Sequence, residues 1–213
     1  MQDPSSVPTP LSSDALLSLY DNTPPHNVTE YRSVISALQY LSSTRPDISF
    51  VVNKLSQFMH KPSTHHWEAI KRVLRYLKGT PYYGVFISAH TPLSPHAYVD
   101  ADWASDTDTR HSTNFAYVVF LGRNPISWSS TEQSTVARSS TRAEYRVIAS
   151  ATAELTWLRN LLRELQITPT QSHTVLCDNI SATYVCVNPV LHSQMKHVVI
   201  DFNFFRDQIL KDS

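Results

Sequence analysis

Apolar positions follow two different rhythms along this chain, and the change comes near residue 82. Upstream the spacing is helical. Val34, Ile35, Leu38 and Leu41 recur at threes and fours and predict a helix over residues 30–41. Thr44-Arg45-Pro46-Asp47 reads as a second helix start, with an N-cap threonine, an early proline and an acid three positions after the cap. Ile48, Val51, Val52, Leu55 and Phe58 continue that helix until Pro62. A third helix is expected over 64–78, with Trp67, Ile70, Leu74 and Leu77 as its buried stripe and Gly79 ending it.

Downstream the pattern turns to strands. Val85-Phe86-Ile87, Ala97 to Asp100, Phe115 to Leu121 and Ile126-Ser127-Trp128-Ser129 predict an antiparallel meander. Ala143, Val147, Ala151, Leu155, Leu158, Leu162 and Leu165 then mark one long helix over 140–165. A last strand over 173–177 ends at Asp178-Asn179, and helical pieces are expected over 180–187 and 199–210. Residues 1–28, rich in Pro, Ser and Thr, read as a linker of low intrinsic order interrupted by one short apolar piece, 16–20. The expected organisation is therefore a linker (1–28), a helical segment (29–90) and an α/β domain (91–213).

Composition narrows the partners. Lys+Arg and Asp+Glu number 18 each, so no global field attracts nucleic acid and any such binding needs a local patch. Lys71, Arg72, Arg75 and Lys78 form one, off the stripe of the third helix. It reads either as a solvated helix face or as a row of phosphate contacts. With Gly 3 against Pro 13, Gly-rich phosphate loops are excluded. Cys177 and Cys186 lack zinc-type spacing and read as small buried apolar residues, without a disulfide framework. His65-His66 reads as a surface pair. No secretory pattern or membrane-length apolar run is present, and the expectation is a soluble, intracellular protein, in cytoplasm or nucleus.

Three acids stand in unexpected places. Asp100 interrupts a strand, Glu144 sits at the edge of the long helix's stripe near its start, and Asp178 closes an apolar strand. A carboxylate ending a buried strand is costly unless it is paired or holds a metal. For Glu144 alone, the favourable end of a helix dipole is explanation enough. Taken together, the order of elements can bring all three acids to one end of a sheet. Hard oxygen ligands suit Mg2+ or Mn2+. Two such ions about 3.5–4 Å apart activate a water and stabilise the leaving oxygen in phosphodiester hydrolysis.

Several motifs then occur in one order: Tyr98-Val-Asp-Ala-Asp-Trp-Ala104, Ile126-Ser-Trp-Ser-Ser130, Ser139-Ser-Thr-Arg-Ala-Glu-Tyr145, Glu154-Leu-Thr-Trp-Leu158 and Cys177-Asp-Asn179. Together, with Asn188-Pro189 and Lys196-His197 following, they resemble the ribonuclease H region of copia-type (Ty1/copia) retrotransposon Pol polyproteins, plant elements in particular. Ala37-Leu-Gln-Tyr-Leu41, Thr44-Arg-Pro-Asp-Ile48 and Leu74-Arg-Tyr-Leu-Lys-Gly79 resemble the segment that joins reverse transcriptase to that domain. The resemblance spans residues 10–210. It implies a ribonuclease H-like mixed sheet flanked by helices, and cleavage of RNA in RNA–DNA hybrids with two Mg2+ or Mn2+ ions. Asp100 would bridge both metals, Glu144 would be the helical acid and Asp178 the third, with Asp102 as rival for the first role.

The resemblance also implies absences. The reverse transcriptase Asp-Asp pair does not occur, and the fold's last strand and helix, with a fourth metal-binding Asp, are expected to be missing; Asp201 is a candidate substitute. Family members carry Gly at Ser105 and Phe115, a Lys-rich pair at Thr131-Glu132 and His at Asn203. The alternative to an impaired nuclease is a catalytically inactive remnant that binds nucleic acid through Lys71, Arg72, Arg75 and Lys78. A third expectation is a fragment that works only with other Pol segments.

Overall fold

The computed structural model describes residues 5–12, 17–18, 23–102, 114–133, 139–169 and 173–179. They fall into two compact units, one over 1–85 with 107–109 and one over 86–106 with 110–213.

The first unit is helical. Helix α1 (Val28–Leu41) starts at Asn27, whose side chain accepts from the amides of Thr29 and Glu30. A single 3-10 turn, Pro46–Ile48, leads into α2 (Ser49–Ser56), and α3 spans Thr64–Gly79. Tyr31, Ile35, Ile48, Leu55, Ile70 and Val73 are fully buried between them. The Tyr31 hydroxyl donates to the Leu55 carbonyl at 2.8 Å, which satisfies the one polar atom that ring carries into the core.

Several expectations change here. Thr44 is not an N-cap: its hydroxyl donates to Leu41 O at the tail of α1, and the 3-10 turn begins from Arg45 without a side-chain cap. The helix expected to reach Pro62 stops at Ser56. In α3 the buried face is His66, Ala69, Ile70, Val73 and Tyr76, while Leu74 is exposed. The stripe rotates because Tyr76 finds a partner for its hydroxyl, donating to Asp47 Oδ2 at 2.8 Å. His66 is no surface residue. It is fully buried and stacked on Phe58, and its Nδ1 accepts from the Ser63 amide to complete a capping box. From the N-terminal stretch, Leu17 lies in this core, and Val7 and Leu11 pack against it.

The second unit is a mixed α/β layer. Strands β1 (Pro95–Asp102), β2 (Asn114–Leu121), β3 (Asn124–Glu132) and β4 (Thr174–Leu176) pair in the order β3-β2-β1-β4, with β4 parallel to β1 and the other pairs antiparallel. Gly122 adopts φ 62° in the two-residue connection between β2 and β3, where a tight hairpin needs a positive φ. Helix α4 (Ser140–Glu164) covers one face of the sheet through Val147, Ile148, Ala151, Leu155 and Leu158, against Ala97, Val99 and Val119. This α/β arrangement is consistent with the fold expected from sequence.

Val85-Phe86-Ile87 forms no strand. Phe86 and Ile87 are exposed, and the next residue is held by a side chain instead: Asn124 Oδ1 accepts from Ser88 N–H at 2.8 Å and its Nδ2 donates to Ser88 O at 2.9 Å. Leu165, placed on the α4 stripe by its spacing, is exposed at the helix end. Among the described residues no helix is long and apolar enough to cross a membrane.

Candidate functional site

Strand alternation sets up the first acid. Along β1, Ala97 and Val99 are buried against α4, whereas Tyr98, Asp100 and Asp102 are exposed, so Asp102 does share the side of Asp100. The parallel pairing of β4 sets up the third. His96 lies opposite Thr174, Ala97 opposite Val175 and Tyr98 opposite Leu176. The pairing ends there, and Asp178 follows two residues beyond the end of β4. Asp100 thus lies in β1 and Asp178 just beyond its parallel neighbour β4.

Glu144 approaches from the second turn of α4 and clusters with Asp178 and Cys177. Asp100 is not part of that close cluster and acts on Glu144 through its charge. The helix opens on Ser139, whose hydroxyl accepts from the Arg142 amide. Its first half is buried almost all round: Ala143, Tyr145, Val147, Ile148 and Thr152 are all below a tenth exposed. Glu144 is therefore not at the edge of a stripe but inside, at 5% exposure. Burial pushes its carboxyl above the ordinary glutamate range, and the charges of Asp178 and then Asp100 push it further. The Ala101 backbone and the Cys177 thiol offset part of that by hydrogen bonding. Among the described residues no basic side chain pairs with Glu144.

Cys177, read from sequence as a small buried apolar residue, is half-buried and makes polar contacts. Its Sγ donates to Glu144 Oε2 at 3.8 Å and accepts from the Asn179 amide at 3.4 Å. Glu144, Cys177 and Asp178 each offer one ligand atom, all within 4.8 Å of one another. Burial raises the thiol above its ordinary value, the Asn179 amide offsets part of this, and the nearby acids add to it. It thus stays a proton donor to the carboxylate rather than a thiolate. Its place beside Asp178 was the available signal.

The basic row on α3 is less uniform than its spacing suggests. Lys71 is paired with Glu68 at 2.8 Å, and Arg72 Nη2 donates to Thr9 Oγ1 at 2.8 Å. Arg72 and Arg75 are half-buried, and the Nε of each is buried without a hydrogen-bond partner. Lys71 and Lys78 are exposed. Asp201, Cys186, the loop 103–113 and the helical pieces expected over 180–187 and 199–210 lie outside the described residues.

The chain is 52% identical over 203 residues to the retrovirus-related Pol polyprotein from transposon RE2 of Arabidopsis thaliana. It is 53% identical over 203 residues to that from transposon RE1 of the same plant. Each alignment covers 95% of this chain and 14% of the relative. Identity to the Pol polyprotein from transposon TNT 1-94 of Nicotiana tabacum is 35% over 184 residues, 86% of this chain and 14% of that relative. The chain thus spans a small part of the length of the relatives it matches. No family model matches it. No solved structure matches it.

Proposed function

The chain belongs to the Pol polyprotein family of copia-type plant transposons, and on that premise we propose that it is a ribonuclease H-like segment that hydrolyses the RNA strand of RNA–DNA hybrids with divalent metal ions. One observation carries the reading. Glu144, buried at 5% exposure, faces two further carboxylates and no basic side chain among the described residues. Such a group is unfavourable as it stands and becomes favourable when a hard cation joins it.

The donor set fits that cation. Asp100, Glu144 and Asp178 would hold Mg2+ or Mn2+, two ions in the intact family site, and bound metal supplies an activated water and a stabilised leaving oxygen. The protein's own part is orientation. The Ala101 backbone and the Cys177 thiol fix the Glu144 carboxylate. Asp100 stands on β1 itself, and Asp178 follows two residues after the end of β4, the strand paired parallel to β1. The strand order β3-β2-β1-β4, with one helix across it, supports the ribonuclease H-like assignment. Lys71, Arg72, Arg75 and Lys78 are proposed to contact nucleic-acid phosphates, and other Pol segments are further candidate partners.

The test is cleavage of an end-labelled RNA–DNA hybrid in Mg2+ or Mn2+, comparing the chain with its Asp100→Asn variant. Cleavage by the parent and none by the variant is expected. A folded parent that cuts nothing with either ion overturns the proposal and leaves an inactive remnant whose activity is binding.

A further inference from the structure

Residues 5–12 run along α3 in the opposite direction to the helix. Thr9 meets Arg72, and a Cβ on Gly79 would come within 2.7 Å of the Ser6 Cβ, so the segment passes alongside Arg75 between those two points. Val7 and Leu11, two residues to either side of Thr9, pack against the helical core and hold the segment there. Pro8 and Pro10 stiffen it.

Thr9 is an exposed residue, and its Oγ1 accepts from Arg72 Nη2 at 2.8 Å. Nε–H and Nη2–H share one edge of a guanidinium, the fork that takes two oxygens of a phosphate. Only one tine of that fork is used, because Arg72 Nε has no partner; the Nε of Arg75, one turn on, has none either. A neutral hydroxyl is a poor occupant for the Arg72 fork. Thr9 is followed by Pro10, the dipeptide that proline-directed Ser/Thr kinases act on.

We propose that Thr9 is a phosphorylation site, and that its phosphate is received by the guanidinium groups of Arg72 and Arg75. In the transfer, Thr9 Oγ1 attacks the γ-phosphorus of ATP while the bond from that phosphorus to the β,γ-bridging oxygen breaks. ADP leaves, and the hydroxyl proton passes to the base of a proline-directed kinase. The product carries about −1.5 to −2 charges at neutral pH, and its oxygens reach Nε–H groups that a hydroxyl leaves unused. Other Ser/Thr-Pro pairs occur, but geometry separates them. Thr80, for example, is half-buried, its hydroxyl donates to Tyr76 O, and it accepts from an Arg45 already committed to Asp47. The phosphate would clamp the segment onto α3 and occupy two of the cations assigned above to nucleic acid; only that last consequence rests on the proposed function.

The experiment uses the full chain, a recombinant proline-directed kinase and ATP, with Thr9→Val as the control for the site. Mass spectrometry should place a phosphate on Thr9 in the parent and none there in the variant. No incorporation at Thr9 by a folded chain, when a free peptide of residues 5–12 is labelled, overturns the proposal. The 31P signal is then titrated against pH. Two nearby guanidinium groups should lower the second phosphate pKa by about half a unit relative to the phosphorylated peptide. Arg72→Gln with Arg75→Gln should abolish that difference. A titration equal to the peptide's, or a shift that survives the double substitution, overturns the clamp. Neither readout depends on nuclease activity.

Discussion

Arg45 in the helical unit and Glu144 in the sheet unit are each 5% exposed, and their surroundings are opposite in kind. Arg45 is neutralised at every turn. Its Nε and Nη2 donate to the two Asp47 oxygens at 2.9 and 2.7 Å, Nη1 and Nη2 reach Thr80, and its guanidinium carbon lies 5.6 Å from the Tyr76 ring centroid. Glu144 meets like charges instead, and among the described residues a thiol and a backbone group receive it. A charge buried for structure comes with its countercharge from the same unit. One buried without it points to a countercharge from outside the chain.

That contrast can be broken from either side. The largest effect is expected at Glu144→Gln. It should reduce hybrid cleavage by about a hundredfold or more, because a proposed metal ligand is removed. The same change should raise the stability of the metal-free chain by about 1 kcal/mol, since one of three like charges is gone. A drop in stability would mean that Glu144 serves the fold. The mirror experiment is Asp47→Ala, which leaves Arg45 buried and unpaired. A loss of about 3 kcal/mol is expected in urea unfolding.

Next comes the pH dependence, with opposite signs in the two units. Burial pushes the Asp47 carboxyl up, but hydrogen bonds from Arg45 and Tyr76 more than reverse this, and it lies below its ordinary range. Its contribution is complete above the unfolded-chain value and is lost as pH falls through the folded one. Glu144 lies above its ordinary range. Its penalty is absent below the unfolded-chain value and grows as pH rises through the raised folded one. Urea midpoints over about pH 3–8 should therefore show the acid-side loss shrinking in Asp47→Asn and the loss on rising pH shrinking in Glu144→Gln.

The smallest effect is expected on the basic row. Arg72→Gln should lower the salt slope of hybrid binding by about one, as one phosphate contact is lost. An unchanged slope would mean that the row is a solvated face.

How far the sequence foretold this depends on what held each residue. Periodicity placed α1, α4, β1 and β2 because apolar burial alone decides those elements. It failed where a single polar partner decided. Tyr76 displaced Leu74 from the buried face because its hydroxyl reaches Asp47, and His66 went inside because both ring nitrogens found backbone groups. Of the stretch read as a linker, the described side chains Val7, Leu11 and Leu17 pack on the helical core, contacts that composition alone does not announce. Of the candidate site, the acids were legible as misplaced charges. The depth of Glu144 and the part of Cys177 were not, because both follow from how α4 and β4 meet β1 rather than from either segment's own pattern.

The most direct test of the uncompensated carboxylate is the thermal midpoint of the chain and its Glu144→Gln variant across a Mn2+ titration. The parent should rise with added ion, approaching about 2.7 kcal/mol of stabilisation at a hundredfold excess over the dissociation constant, and the variant should respond far less. Equal responses in the two proteins, or none in the parent, would contradict a cation site built around Glu144.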